Sequence, residues 1–429
     1  MTLGFLRAGA IYGIANALSA AVPFLLLPVL TRALAPDQYG AVVGFFLLVT
    51  ISTSLAGLNV HSAVAVRWFD RADVDFPSFV GSALFVAVAS TALCAPLLVV
   101  AGTIWHERLG LEPSRWPLAA VYCGAVVIAA VRTTLWQSQR RAQPSALFQV
   151  GVAAMNGVFS LVGVVALVLG ADGRIFGSFA AVLLAAVLAV WMLRVSGDAT
   201  WRVSAEHVRK VVRFGAPLVP HALAGAVLAS ADRFAVAAQL GQGELGVYGA
   251  AAQLGIMMNV LGDTLVKALS PWLYAQLALK NAAGRLRVVG ATYALVPVWL
   301  LVALVLWLLL ELGGPWLLGP RYQAAIALSI WFLMGGAVSA IYLNVAGLFF
   351  FTSRNEWLSL ATVATAAIAV MTAPWLAGRF GVTGAAASYL LSQCTLLVLA
   401  WTLSTRVRPM PWHRPRLAVR ALLRSPNPA

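Results

Sequence analysis

Long apolar runs, broken by short polar connections, repeat along the whole chain. Twelve are read, over residues 10–31, 41–60, 79–103, 117–136, 146–169, 174–193, 215–238, 248–275, 289–311, 324–350, 357–377 and 382–404. Runs of this length cross a hydrocarbon core of about 30 Å as helices, which satisfy their own backbone hydrogen bonds. Residues 294–310 show none of the two-residue alternation of a barrel strand, so helices are predicted throughout. The longest odd-numbered connection, Ile104 to Trp116, has no room for a folded domain. Any chemistry is therefore expected between the helices.

The longest even-numbered connection, Arg194 to Arg213, separates six runs from six. It divides the chain into an N-terminal six-helix bundle (1–195), a cytoplasmic linker (196–213), a C-terminal six-helix bundle (214–405) and a basic tail (406–429). In the linker Trp201, Val203, Val208, Val211, Val212 and Phe214 alternate with Arg202, Arg209, Lys210 and Arg213, which suits a helix in the membrane interface; a plain solvated linker is the alternative. The halves echo each other. Leu30 to Gly40 and Leu240 to Gly249 are both polar turns ending in Tyr-Gly before a new apolar run. Six crossings return the chain to the same side, so the halves are expected to be parallel repeats about an axis along the membrane normal. An all-α polytopic membrane protein follows, with twelve transmembrane helices in two pseudo-symmetric bundles around a central cavity.

Composition agrees with this. At 61% hydrophobic and 10% charged, 429 residues carry too little polar surface to coat a soluble globule. The net charge of +15 suggests nucleic acid at first sight. Of 29 bases, however, 20 lie on even-numbered connections and the two ends, six on odd-numbered ones, and three (Arg132, Arg233, Lys267) in or beside the runs. The positive-inside rule then places both termini in the cytoplasm and explains the charge without a nucleic-acid partner. The first run lacks a cleavage-site pattern and reads as a retained span. Cys94, Cys123 and Cys394 have no metal spacing, and no Gly-rich loop precedes a Lys-Ser or Lys-Thr pair. No metal, cofactor, nucleophile or ATP hydrolysis is expected.

Several motifs fall in a fixed order against the runs: Thr31-Arg-x-Leu-x-Pro-x-x-Tyr-Gly40, a basic turn Gln139-Arg-Arg-Ala142, Phe214-Gly-x-Pro217, Ala231-Asp-Arg-Phe234, and Leu240-Gly-x-x-x-x-Gly246-x-Tyr248-x-x-Ala251. In these residues the chain resembles the polysaccharide (Wzx-type) flippases of the MOP exporter superfamily. The resemblance covers essentially the whole chain. It implies a bacterial inner-membrane transporter, not an enzyme. Such a protein moves a polyprenyl-pyrophosphate-linked oligosaccharide, with undecaprenyl the expected lipid, from the cytoplasmic to the outer leaflet by alternating access. Membrane lipids and other polysaccharide assembly proteins are the implied partners. The lipid II flippase branch usually has two further helices, which weighs against a direct peptidoglycan role. A cation-coupled multidrug exporter and a membrane-embedded polymerase or glycosyltransferase are the alternatives; the first needs an acidic, aromatic cavity and the second a sizeable outward loop.

Charges at membrane depth carry the candidate site, since each costs about 2.5–3.5 kcal/mol at a helix centre. Asp263 and Lys267 are four apart and share a helix face. Either they neutralise each other, or Lys267 offers charge to a diphosphate while Asp263 tunes it. Arg132, followed by Thr133, Thr134 and Gln137, suits phosphate and sugar hydroxyls, or else is a snorkelling arginine near the cytoplasmic interface. Arg233 is a further cavity candidate and Asp232 a titrating coupling site, because burial favours the uncharged carboxyl; a structural ion pair is the alternative reading of both. Asn259, with Asn16, Gln149, Asn156, Gln253 and Asn344, is interhelical glue or a sugar contact. Pro23, Pro28, Pro217 and Pro220 break the hydrogen-bond ladder of the opening span in each half and are candidate gating kinks. His61 and His221 read as packed histidines rather than proton relays.

Overall fold

The structure is a computed structural model that describes residues 2–279 and 281–423, with the side chains of 2–10, 108 and 423 left out. Lys280 and Arg424, and the side chains of Arg7 and Arg108, all counted in the charge pattern, lie outside the described residues.

The described residues are helical. In chain order the helices are α1 (Thr2–Ala33), α2 (Pro36–Ala56), α3 (Val60–Arg67), α4 (Phe76–Leu109), α5 (Arg115–Ser138), α6 (Ala142–Leu161), α7 (Gly170–Val195), α8 (Ala205–Gly215), α9 (Val219–Leu228), α10 (Ala231–Leu240), α11 (Gln242–Ala278), α12 (Ala282–Leu317), α13 (Ala324–Thr352), α14 (Asn355–Val407) and α15 (Pro415–Leu423). Among the described residues eleven helical stretches are long and apolar enough to cross a membrane. The last of them, α14, has 53 residues and turns at Gly381 (φ 62°, ψ −146°). At about 1.5 Å per residue that length is more than two crossings of a 30 Å core. Only glycine takes this backbone conformation without strain, and the two arms match the last two predicted runs.

Two runs have different ends from those predicted. The second stops at Ala56; Leu58 and Asn59 then take positive φ (41° and 48°), and α3 is a separate helix that carries His61 and Arg67. The seventh, expected as one stretch over 215–238, is divided. A 3-10 turn at Ala216–Leu218 joins α8 to α9, and α10 begins after a break at Ala229 and Ser230. Proline has no N–H to give an upstream carbonyl, so Pro217 and Pro220 stand in the first turns of their segments. Pro23 and Pro28 instead lie inside the unbroken α1.

Contacts divide the chain into two compact units, residues 1–249 and 250–429. In the first, Val80, Ala83, Val131, Leu135, Leu193 and Val211 form one buried cluster drawn from α4, α5, α7 and α8. Helix α8 thus buries Val211 and turns Arg209, Lys210 and Arg213 outward. In the second, Leu273, Leu277, Val288, Leu348, Met410 and Ala418 cluster where α11, α12, α13 and α15 meet. Trp105, Trp316 and Trp375 are exposed, whereas Trp116 is 3% exposed and packs in the first unit.

Candidate functional site

In the first unit the two Tyr-Gly motifs come together. Helix α2 starts at Pro36 and α11 at Gln242, each after a tight connection. A Cβ on Gly40 would overlap the Gln242 carbonyl, and one on Gly246 would overlap that of Pro36. Only glycines allow the two helix starts to approach this closely. The Gln242 side chain donates to the Leu109 carbonyl at the end of α4. At the same end Arg115 pairs with Asp172 at 2.9 Å, tying α5 to α7. Four odd-numbered connections of this unit are therefore stitched into one closed end.

Just inside it lies a buried polar cluster. Asp232 of α10 is 4% exposed, and one of its oxygens accepts a 2.7 Å hydrogen bond from the hydroxyl of the motif tyrosine Tyr248. Its other oxygen is buried with no side-chain donor, and the backbone N–H groups of Asp232 and Arg233 act on the carboxylate. Arg233 follows it and acts electrostatically on both Asp232 and the other motif tyrosine, Tyr39. Arg174 of α7 also acts on Tyr39. Its guanidinium donates to Asn156 Oδ1 (2.7 Å), Ser160 Oγ (2.5 Å) and Ser178 Oγ, and lies over the Phe46 ring. Arg174 is 8% exposed and has no carboxylate partner among the described residues. Two arginines and one aspartate leave the cluster with a net positive charge.

Arg174, one of the six bases counted on odd-numbered connections, is buried instead of exposed. A signal was present. Asn156 and Ser160 are four apart on α6, and Arg174 and Ser178 four apart on α7, so each pair lies on one helix face. Two polar pairs of helical spacing on adjacent spans are what a shared interhelical network requires.

Arg132 goes elsewhere. Its guanidinium makes a 2.6 Å ion pair with Asp198 and stacks on Trp136, and it is 3% exposed. Gln139 and Ser196 also donate to Asp198, at 3.2 and 2.5 Å. Asp198, which drew no notice in the sequence, thus pins the chain between α7 and α8 to the end of α5. Gln137 is exposed beside this cluster.

In the second unit Asn259, Asp263 and Lys267 follow one another at four-residue intervals, which puts them on one face of α11. Asn259 is exposed. Lys267 reaches Asp263 at 2.6 Å, and their side chains are 61% and 50% exposed. The pair therefore forms, as the spacing predicts, but protein does not cover it. Gln149 and Asn344 bond within their own helices, to Ser145 and to the Ala340 carbonyl. His221 is exposed and His61 half-buried. No group of three metal-ligating side chains occurs among the described residues.

Many apolar helices long enough to cross a membrane, with charged side chains buried between them, define a polytopic membrane protein. The polysaccharide biosynthesis protein family matches residues 5–275, more than half of the chain, and the protein belongs to this family, whose members are the flippases named above. Among curated proteins it is similar to the Lsg locus putative protein 1 of Haemophilus influenzae, with 22% identity over 84% of this chain and 88% of that protein. Among solved structures it is similar to the lipid II flippase MurJ in an inward closed conformation (TM-score 0.66, 9% identity, covering 97% of this chain and 91% of that one). It is also similar to a multidrug resistance MATE transporter of the MOP superfamily in an inward-facing conformation (TM-score 0.62, 14% identity, 95% and 96% covered). At these identities the likeness is one of fold.

Proposed function

We propose that the protein is a flippase that carries a polyprenyl-pyrophosphate-linked oligosaccharide, undecaprenyl being the expected lipid, from the cytoplasmic to the outer leaflet of the bacterial inner membrane. Both termini are cytoplasmic in this reading, and the six-span halves 1–195 and 214–405 alternate access around the substrate. The observation that carries it is the Asn259, Asp263 and Lys267 stripe. An ion pair left uncovered on an apolar span costs about 2.5–3.5 kcal/mol per charge against hydrocarbon at a helix centre, which favours an open side that meets water or a polar ligand. Lys267 there offers a positive charge to a diphosphate, with Asp263 as the counter-ion it leaves on binding. Asn259 suits sugar hydroxyls; Arg233, in the Asp232 cluster of the first unit, is a further candidate base, and Arg132 positions the linker through Asp198. Other assembly proteins would supply the substrate and take the product.

A deletion strain is expected to accumulate the lipid-linked oligosaccharide on the cytoplasmic face. Wild-type protein should clear it and Lys267→Gln should not, at equal membrane abundance. Full clearance by Lys267→Gln would remove Lys267 from the substrate path. A deletion strain with normal surface polysaccharide and new sensitivity to cationic dyes would replace the flippase reading by drug export.

Asp232 is the proposed coupling group. The oxygen without a side-chain donor is a place for a proton, and Tyr248 holds the other oxygen in both charge states. Asp232→Asn keeps the acceptor for Tyr248 and removes the titration. Transport by the variant in proteoliposomes is expected to stop responding to an imposed proton gradient; an unchanged response would exclude the assignment.

A further inference from the structure

A separate feature lies in the second unit, at the end where α11 turns into α12. A groove of about 360 Å³ is lined by Leu269 and Trp272 of α11, by Arg287, Ala291, Ala294 and Leu295 of α12, and by Leu422 of α15. The spacing of these residues puts each set along one stripe of its helix. Helix α15 closes the third side because it sits directly on α12. A Cβ at Gly290 would overlap the Ala418 carbonyl, and the Tyr293 hydroxyl donates to the Trp412 carbonyl at 2.7 Å. The volume falls in the range of ligand sites, about 300–1,000 Å³. Its walls are aliphatic and aromatic, with a single charge.

That charge lacks a counter-ion. The Arg287 guanidinium reaches the neutral Gln276 at 3.3 Å, and among the described residues no acidic group pairs with Arg287, Arg416 or Arg420. The sequence explains why. Residues 268–310 and 402–429 hold nine bases (Lys280, Arg285, Arg287, Arg406, Arg408, Arg414, Arg416, Arg420, Arg424) and no Asp or Glu. An apolar slot with one cation in its lining, and no acid on the flanking stretches of α11, α12 and α15, complements a molecule with a hydrocarbon chain and an anionic head.

We infer that this groove is a binding site for one anionic phospholipid, with an acyl chain between α11, α12 and α15 and its phosphate on Arg287. Arg416 and Arg420 of α15 are exposed and add to the positive field at that end. The site is distinct from the Lys267 stripe and does not depend on the transported substrate. Because α15 forms one wall, a lipid seated there also fastens the C-terminal helix to α12.

Native mass spectrometry of the delipidated full-length protein, titrated with dioleoyl phosphatidylglycerol or dioleoyl phosphatidylcholine, tests it. One phosphatidylglycerol per protein is expected to survive activation that strips phosphatidylcholine. Arg287→Gln should lower that retention about fivefold, as loss of one base beside an anionic headgroup gives. Ala291→Phe leaves every charge in place but fills the slot, and should abolish the retained lipid, which keeps the test open if Arg287→Gln fails to fold. Equal retention of both lipids by the parent, or undiminished retention by Ala291→Phe, would overturn the inference. So would displacement of phosphatidylglycerol by an equal amount of polyprenyl phosphate, which would make the groove a substrate-tail site.

Discussion

Valine at position 246 is expected to abolish transport and to open the closed end of the first unit to water. The Gly246 Cα faces the Pro36 carbonyl so closely that a single Cβ would overlap it, and Gly40 and Gln242 meet in the same way. Backbone on both sides cannot step aside as a side chain can, so the starts of α2 and α11 must part. Overpacking a well-filled site costs about 1–3 kcal/mol even where side chains can adjust. A closure that alternates with an open state has little more than that to lose before its population inverts. A cysteine at Leu111, which is 1% exposed at this end, reports the change in a background without Cys94, Cys123 and Cys394. A membrane-impermeant maleimide should leave it unlabelled in the parent and label it in Gly246→Val. Gly243→Val is the control, since a Cβ there meets nothing within 4 Å. Equal labelling of all three proteins would show that the Tyr-Gly contact does not hold this end shut.

Arg174→Met should leave the fold intact and still lose transport. A buried arginine held by neutral groups alone contributes little net stability, because its desolvation, several kcal/mol, offsets most of what its hydrogen bonds return. Methionine keeps the unbranched apolar stem without the guanidinium, and the groups it leaves behind have partners. Ser160 already donates to the Asn156 carbonyl at 2.6 Å, and Ser178 lies 3.4 Å from Asn156 Oδ1. A thermal midpoint at or above that of the parent is therefore expected. Transport should fall more than about tenfold, because the cluster around Asp232 loses one of its two positive charges and about 1.4 kcal/mol is enough for that change. Arg174→Lys, which restores charge without the planar fork, should recover part of the rate. A midpoint that collapses in Arg174→Met but recovers in Arg174→Lys would instead make the residue a structural clamp.

Both variants rest on contacts that the sequence signalled unevenly. The Tyr-Gly echo was visible as a repeat, and Asp263 with Lys267 as a pair, because each is local along one helix or turn. That the two echoes pack on each other was not visible, since glycine-to-backbone contact between positions two hundred residues apart leaves no local pattern. Arg132 and Arg174 show the same limit from opposite sides. Arg132 read as a candidate phosphate ligand, yet Asp198 takes its charge. Arg174 read as one more outward base, yet it lies in the bundle.

The sequence alone determined the helical form of the apolar segments, their length relative to a membrane, and the family. Each of these follows from the length and apolarity of single segments and from short motifs in order, properties that a bilayer imposes on one helix at a time. Tertiary structure decided where the charges go. Whether an arginine is neutralised by Asp198, surrounded by neutral acceptors, or left without a counter-ion in the lining of a groove depends on which helix faces it, and that is fixed by packing between segments far apart in the chain.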